Sequence, residues 1–264
     1  MAEPDSENEI KVDRRLEGIV VVTLNRPQRR NCLSLALWQE LGSLYRSFAE
    51  DPTVRSVILT GAGGHFSAGA DISEFPKVRA TQEQAAHYAE TVDEASDAIL
   101  ELPKPTIAVI EGFCVGGGLG LAVAHDFRIA DTNALFSIPA ARLSIVYGVK
   151  ETRNLLNIVG LTQAKRLLFS GARVNARKAQ HIGLVDQIAE GSALEDGLQL
   201  ARQLAENAPL SIAGAKLILT QLSQGSSLNK AAVEAAEKRA VESEDYAEAV
   251  KAFAEKRKPT FRGR

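Results

Sequence analysis

Cysteine is scarce in this chain: 264 residues contain only Cys32 and Cys114, each in apolar surroundings. That excludes a framework of crosslinks, and two reduced core thiols in a reducing compartment are expected. Neither sign of charge is in excess. With 31 Lys and Arg against 33 Asp and Glu the formal net charge is −2, which gives no electrostatic footprint for nucleic acid. No apolar run approaches the roughly 20 residues of a membrane helix. The opening segment, residues 1–9, is acidic and lacks an apolar centre, so it does not read as a secretory leader. A cytoplasmic protein without membrane or nucleic-acid partners is expected. No His, Cys, Asp and Glu grouping has metal-ligand spacing, so no metal is expected. A dinucleotide loop is missing too: Gly116, Gly118 and Leu121 would have to match Gly-x-Gly-x-x-Gly, and no Gly-Lys-Ser/Thr occurs.

What the sequence does contain is concentrated in residues 104–126, KPTIAVIEGFCVGGGLGLAVAHD. The β-branched run 106–110 predicts a buried strand, the glycines a turn, and 119–124 the start of a helix. Backbone N–H groups at a helix start lack partners, and glycines let another molecule come close. Such a turn can hold a phosphate or the oxyanion that develops on a thioester. A second segment, GHFSAGADI at 64–72, decides between them below.

Strand and helix signals alternate through the first 190 residues. Strands are predicted at 19–24, 57–60, 106–110, 127–130 and 185–188, and helices at 35–50 (capped by Ser34) and 82–102. Further signals fall at Leu135, 163–168 and 176–182. From 194 onward the pattern is helical: 194–206, 210–222, 229–243 and 246–255. This order predicts an α/β core over 1–190 and a helical region over 191–264 that packs on a neighbour.

Four separated segments carry a family resemblance: VTLNRPQRRNCLS (22–34), GAGGHFSAGADISEF (61–75), the 104–126 block and AFAEKRKPTF (252–261). Together they resemble the crotonase (enoyl-CoA hydratase/isomerase) superfamily. The resemblance implies a spiral of ββα units and a C-terminal helical region used in trimerisation, giving a homotrimer or a dimer of trimers. It implies an acyl-CoA thioester as ligand, with no cofactor beyond the coenzyme A of the substrate. By motif position the two N–H groups that grip the thioester oxygen fall on Ala70 and Gly117, and Asp71 and Ile72 border the ligand. Each preformed donor of that kind contributes about 3 kcal/mol to an enolate-like transition state. The alternative reading of these glycines is close strand–helix packing.

The resemblance also exposes a departure. The family's hydratases carry glutamates at positions occupied here by Gly120 and by Ala140 of FSIPA (136–140), and neither residue has a titratable group. Tyr147, in IVYGVKETR (145–153), lies where methylmalonyl-CoA decarboxylases of the superfamily have a tyrosine, and the segment 239–253 is similar to theirs. Decarboxylation of a malonyl-type (2-carboxyacyl) CoA needs no base, and a neutral Tyr147 would orient the carboxylate or protonate the product carbon. That chemistry is the expectation, against a Tyr147 that simply bonds to backbone. Hydration or isomerisation through Glu151 or a bound water is the second reading, against a Glu151 paired with Lys150 or Arg153. Non-catalytic acyl-CoA binding is the third.

For the phosphates of coenzyme A the resemblance implies Arg29, from the cluster Arg26, Arg29 and Arg30, and Lys256 reaching from a neighbouring subunit, with Phe253 near the adenine or acyl region. Isolated basic residues are otherwise solvated charges. His65 is expected to pack its loop, Asp71 to accept backbone N–H groups, Glu74 to be a solvated charge, and Asp126 to bond locally to backbone.

Overall fold

The computed structural model describes residues 8–225 and 227–264; most of the acidic opening segment lies outside them. The chain runs β1 (Ile10–Arg14), β2 (Ile19–Leu24), α1 (Leu35–Glu50), β3 (Ser56–Gly61), α2 (Phe75–Val78), α3 (Gln82–Leu100), β4 (Thr106–Ile110), β5 (Phe113–Val115), α4 (Gly117–Val123), β6 (Phe127–Ala130) and β7 (Leu135–Ser137). Then follow α5 (Val149–Ser170), β8 (Val174–Asn175), α6 (Ala176–His181), β9 (Gln187–Ile188), α7 (Ala193–Ala205), α8 (Pro209–Ser223), α9 (Lys230–Val241) and α10 (Glu244–Ala254). The recurring unit is two strands and a helix, as in β1–β2–α1, β4–β5–α4 and β6–β7–α5. This is the crotonase-like ββα spiral.

The main sheet has the order β1-β2-β3-β4-β6-β9. Only β1 is antiparallel to its neighbour. Parallel strands between helical layers are buried on both faces, which is why β2, β3 and β4 are runs of Ile, Val and Leu without polar alternation. Ile19, Val21, Ile58, Ile107 and Val109 form one core with Ala193, Leu198 and Ala201 of α7. Val20, Val22, Val57, Leu59 and Ala108 form the larger core with Leu37, Leu41, Tyr45 and Phe48 of α1 and Ala95 and Ile99 of α3. Thus the first helix of the C-terminal region belongs to the packing of the sheet.

The strands and helices expected from apolar spacing appear within a few residues of their expected ends. Several features escape that reading, the two-residue β8 among them. β1 buries only Ile10, so it has no alternation to show, and β5 is a three-residue strand inside the glycine segment. α5 starts at Val149, well before the expected 163–168, and bends at Gly160 (φ 70°, ψ 166°), which blurs its period. No helix among the described residues is long and apolar enough to cross a membrane.

The tail is tied down by buried charge. Lys216 Nζ of α8 donates to Asp126 Oδ2 at 2.8 Å and to the Lys104 carbonyl at 3.1 Å. Asp126 also accepts from the backbone N–H and hydroxyl of Thr106, so it does more than the local backbone bonding expected of it. Lys216→Ala leaves Asp126 without its counter-ion; since Asp126 is 25% exposed, the loss should be near the low end for such pairs. Urea denaturation is expected to show a destabilisation of about 3 kcal/mol.

Candidate active site

The 64–72 segment is held as an extra strand-like run beside β5. Ser67 N–H donates to the Phe113 carbonyl (2.9 Å), and Val115 N–H returns the bond to Ser67 (3.0 Å). Past Gly69 (φ 92°) the chain joins the loop before α1: Leu33 N–H donates to Gly69, and Asp71 N–H to Leu33, both at 2.8 Å. These bonds use the amides on either side of Ala70 and leave Ala70 N–H without a protein acceptor. Gly116, at φ 54° and ψ −122°, is in a conformation open to glycine and aims the chain into α4. Gly117 is the first helical residue, so its N–H also has no partner within the helix. A Cβ at Gly117 would lie 3.6 Å from Ala70 N and 3.1 Å from Trp38 Cζ2. The two free amides are therefore neighbours, at the wall of one pocket of about 460 Å³ that Trp38, Ala70, Gly117, Ala140, Tyr147 and Glu151 line.

Glu151 supplies the carboxyl group of this pocket. Its side chain comes from the first turn of α5, and Oε1 lies 2.5 Å from where a Cβ on Gly120 would stand. A carboxyl group thus occupies the space opened by glycine at the position where the resemblance leads one to expect a glutamate. Lys150, one of the two ion-pair partners weighed for Glu151 beside Arg153, is turned to α3 instead, 2.5 Å from Asp97 and 3.8 Å from Asp93. Burial pushes the Glu151 carboxyl up to about 7, and Asp93 adds to the rise. Such a group exchanges a proton near neutral pH.

The same shift is a statement about stability. The fold favours the neutral acid, so its contribution is fully present below the ordinary carboxyl range and is lost as pH rises through about 7. Glu151→Gln removes that loss. By calorimetry at fixed protein concentration, the variant should match wild type near pH 5 and melt several degrees higher at pH 8, a gain of up to about 3 kcal/mol.

Tyr147 donates its hydroxyl to the Gly116 carbonyl at 3.0 Å, the backbone bond considered as the alternative to a catalytic role. Burial first, then the Glu151 charge, keeps its phenol far above the ordinary range, so it is neutral. The hydroxyl is also 2.7 Å from the Cβ site of Gly120, beside the Glu151 carboxyl.

Asp71 differs from expectation. Its partners are side chains: Arg26 Nη2 at 3.1 Å, Arg29 Nη1 at 3.2 Å and Ser73 Oγ at 2.6 Å. Burial opposes its ionisation, but Ser73, Cys32 and Arg26 outweigh it and hold the carboxyl below the usual range. Arg29 is half exposed and also donates to Ser73, next to the exposed Ile72. Glu74 is likewise not a solvated charge; its Oε2 accepts Leu35 N–H at 3.0 Å and so caps α1. His65 packs its loop, stacked on Phe113 with ring centroids 4.7 Å apart. Phe253 is 88% exposed on α10 and, like Lys256, does not line the pocket within a single chain.

Sequence reading missed Trp38, Phe75, Arg79, Tyr88 and Asp93, all in the pocket wall. Tyr88 and Val92 continue the apolar spacing of Ala95 and Ile99 along α3, a legible signal. Arg79 sits in the irregular link after α2, where no period exists to read.

Known proteins resemble this chain along nearly its whole length. The profile of the enoyl-CoA hydratase/isomerase family matches residues 14–264. The chain is 34% identical to the enoyl-CoA isomerase/hydratase fer4 of Mycosarcoma maydis, covering 99% of this chain and 97% of that protein. It is 33% identical to the 2,3-dehydroadipyl-CoA hydratase of Escherichia coli K12, covering 95% and 97%. The crystal structure of an enoyl-CoA hydratase/carnithine racemase from Magnetospirillum magneticum superposes with a TM-score of 0.91 at 34% identity, over 98% of this chain and 97% of that one. With its fold, its paired loop amides and these full-length matches, the chain belongs to the enoyl-CoA hydratase/isomerase family of the crotonase superfamily.

Proposed function

We propose that this enzyme binds an acyl-CoA thioester and shifts its double bond from the β,γ to the α,β position, with Glu151 as sole proton carrier. The Ala70 and Gly117 N–H groups take the thioester oxygen. Glu151 as carboxylate removes a proton from the α carbon, and the C–H electrons pass through the carbonyl to the oxygen, forming a dienolate. The same carboxyl group then returns its proton to the γ carbon, and the double bond forms between the α and β carbons. Atoms and charge balance without water. The observation that carries this reading is the Glu151 carboxyl in the space at Gly120, at one largely apolar pocket with the two free amides, while Asp93, the other acid of its wall, lies beside Lys150. Conversion of a β,γ-enoyl-CoA, followed by the absorbance of the conjugated product, tests it.

Hydration is the second reading, favoured by the names of several relatives. It needs a group to activate water as well as one to protonate carbon; Ala140, where the resemblance expects the second hydratase glutamate, brings no carboxyl to the pocket wall, and Asp93 of the same wall lies beside Lys150. Decarboxylation ranks lower. Its expected partner, the Tyr147 hydroxyl, is engaged by the Gly116 carbonyl, and an ionised Glu151 beside it repels a substrate carboxylate. Carbon dioxide release from methylmalonyl-CoA would reverse that ranking, and tight acyl-CoA binding without turnover would favour a binding protein. For coenzyme A we propose Arg29, with Phe253 and Lys256 from a neighbouring copy. The exposed Val241, Tyr246, Val250 and Phe253 support burial of the tail in a homotrimer or a dimer of trimers.

A further inference from the structure

We infer that the pocket is built for an acyl group ending in a second, distal carboxylate, and that Arg79 anchors it; this rests on the acyl-CoA reading above and narrows its substrate class. Arg79 is the one basic side chain lining the pocket among the described residues. Its guanidinium carbon lies 4.7 Å from the centre of the Phe75 ring and 5.2 Å from that of Tyr88. Those rings meet edge to face at 5.8 Å. An aromatic bed of this kind holds the guanidinium by its face and leaves its N–H edges for a planar acceptor, the geometry that suits a carboxylate.

Among the described residues no such acceptor is present: the Arg79 side chain makes no hydrogen bond or ion pair with any of them. The two acidic residues lining the pocket have other surroundings. Asp93 lies 3.8 Å from Lys150 Nζ, and Glu151 is packed between Tyr147 and the Gly120 space. Nearby Glu74 is committed to Leu35 N–H. The same wall also holds the Tyr88 hydroxyl and Trp38 Nε1, both buried; they lie close to one another, but neither meets hydrogen-bond geometry with a described residue. Even with the indole N–H directed at the phenol oxygen, the Tyr88 hydroxyl proton has no acceptor among the described residues, and a buried donor left so is uncommon. An apolar acyl tail offers none of these groups a partner; a carboxylated one does.

Binding of saturated thioesters tests this apart from any reaction. Glutaryl-, adipyl- and suberyl-CoA are titrated against the neutral acyl-CoAs of equal length by calorimetry. For the best-fitting length, wild type should prefer the carboxylated ligand by about 10- to 100-fold, as for hydrogen bonds to charged groups. Arg79→Met keeps an apolar stem on the rings and should abolish the preference while leaving neutral ligands bound as before. Arg79→Lys should restore only part of it. Equal affinity for the two series in wild type would overturn the inference. So would an equal loss for both series in Arg79→Met, which would assign the arginine to the phosphates of coenzyme A. Failure of wild type to bind either series would sink the acyl-CoA reading itself and this inference with it.

Discussion

Glu151→Gln is expected to lower kcat for double-bond isomerisation by about a thousandfold, within the range for removal of a general acid–base group. Its affinity for a saturated acyl-CoA should stay within a factor of about two, because the amide keeps the shape of the side chain and the thioester grip proposed for Ala70 and Gly117 does not involve it. The wild-type pH profile provides an internal check. Base catalysis requires the ionised form, so kcat/KM should be low in acid and rise through about pH 7, where burial has moved the Glu151 carboxyl. A profile flat across that range, or a variant within tenfold of wild type, would give the proton to another group. The gain in thermal stability expected for the same variant above neutral pH follows from the same buried charge: the site keeps a carboxyl group ready at the expense of the fold.

Gly120→Ala is the second large effect, and it comes from a single methyl group. The added Cβ would stand 2.5 Å from Glu151 Oε1 and 2.7 Å from the Tyr147 hydroxyl. Those contacts are impossible, and both neighbours are ends of side chains, so the carboxyl group moves while α4 remains in place. Alanine is the better helix former by about 1 kcal/mol, so the fold is not weakened. Displacement of a reacting group by about 1 Å is expected to reduce kcat about a hundredfold. The circular dichroism spectrum should be unchanged. Unaltered turnover in this variant would mean that the carboxyl group works from somewhere else.

How far the site was legible differs from residue to residue. Ala70 and Gly117 were singled out because two separated motifs each carry the glycines that such a backbone path requires. Their adjacency, set by the Ser67–Phe113–Val115 hydrogen bonds, is a tertiary fact that no local pattern encodes. The sequence also shows that Gly120 and Ala140 lack carboxyl groups. What it cannot show is that glycine at 120 makes room for Glu151, 31 residues along the chain. In sequence Glu151 lies beside Lys150, and an ion pair is the natural reading. Only the packing of α5 against α3 reveals that Lys150 turns to Asp97 while Glu151 turns inward. Asp71 was misread for a similar reason: its partners Arg26 and Arg29 come from a loop more than forty positions earlier. The fold itself was more legible, since β2, β3 and β4 announce a doubly buried parallel sheet in their composition. The short strands β1, β5 and β8 were not, because they bury too little to leave a pattern.

The path of a single proton tests the central claim most directly. A β,γ-enoyl-CoA deuterated at the α carbon is converted in ordinary water, and the product is analysed by mass spectrometry with positional fragmentation. If one shielded carboxyl group carries the proton from carbon to carbon, part of the deuterium reappears at the γ carbon, and Glu151→Gln forms almost no product. Rapid turnover by Glu151→Gln, or a hydrated or decarboxylated product in place of the conjugated isomer, would contradict it.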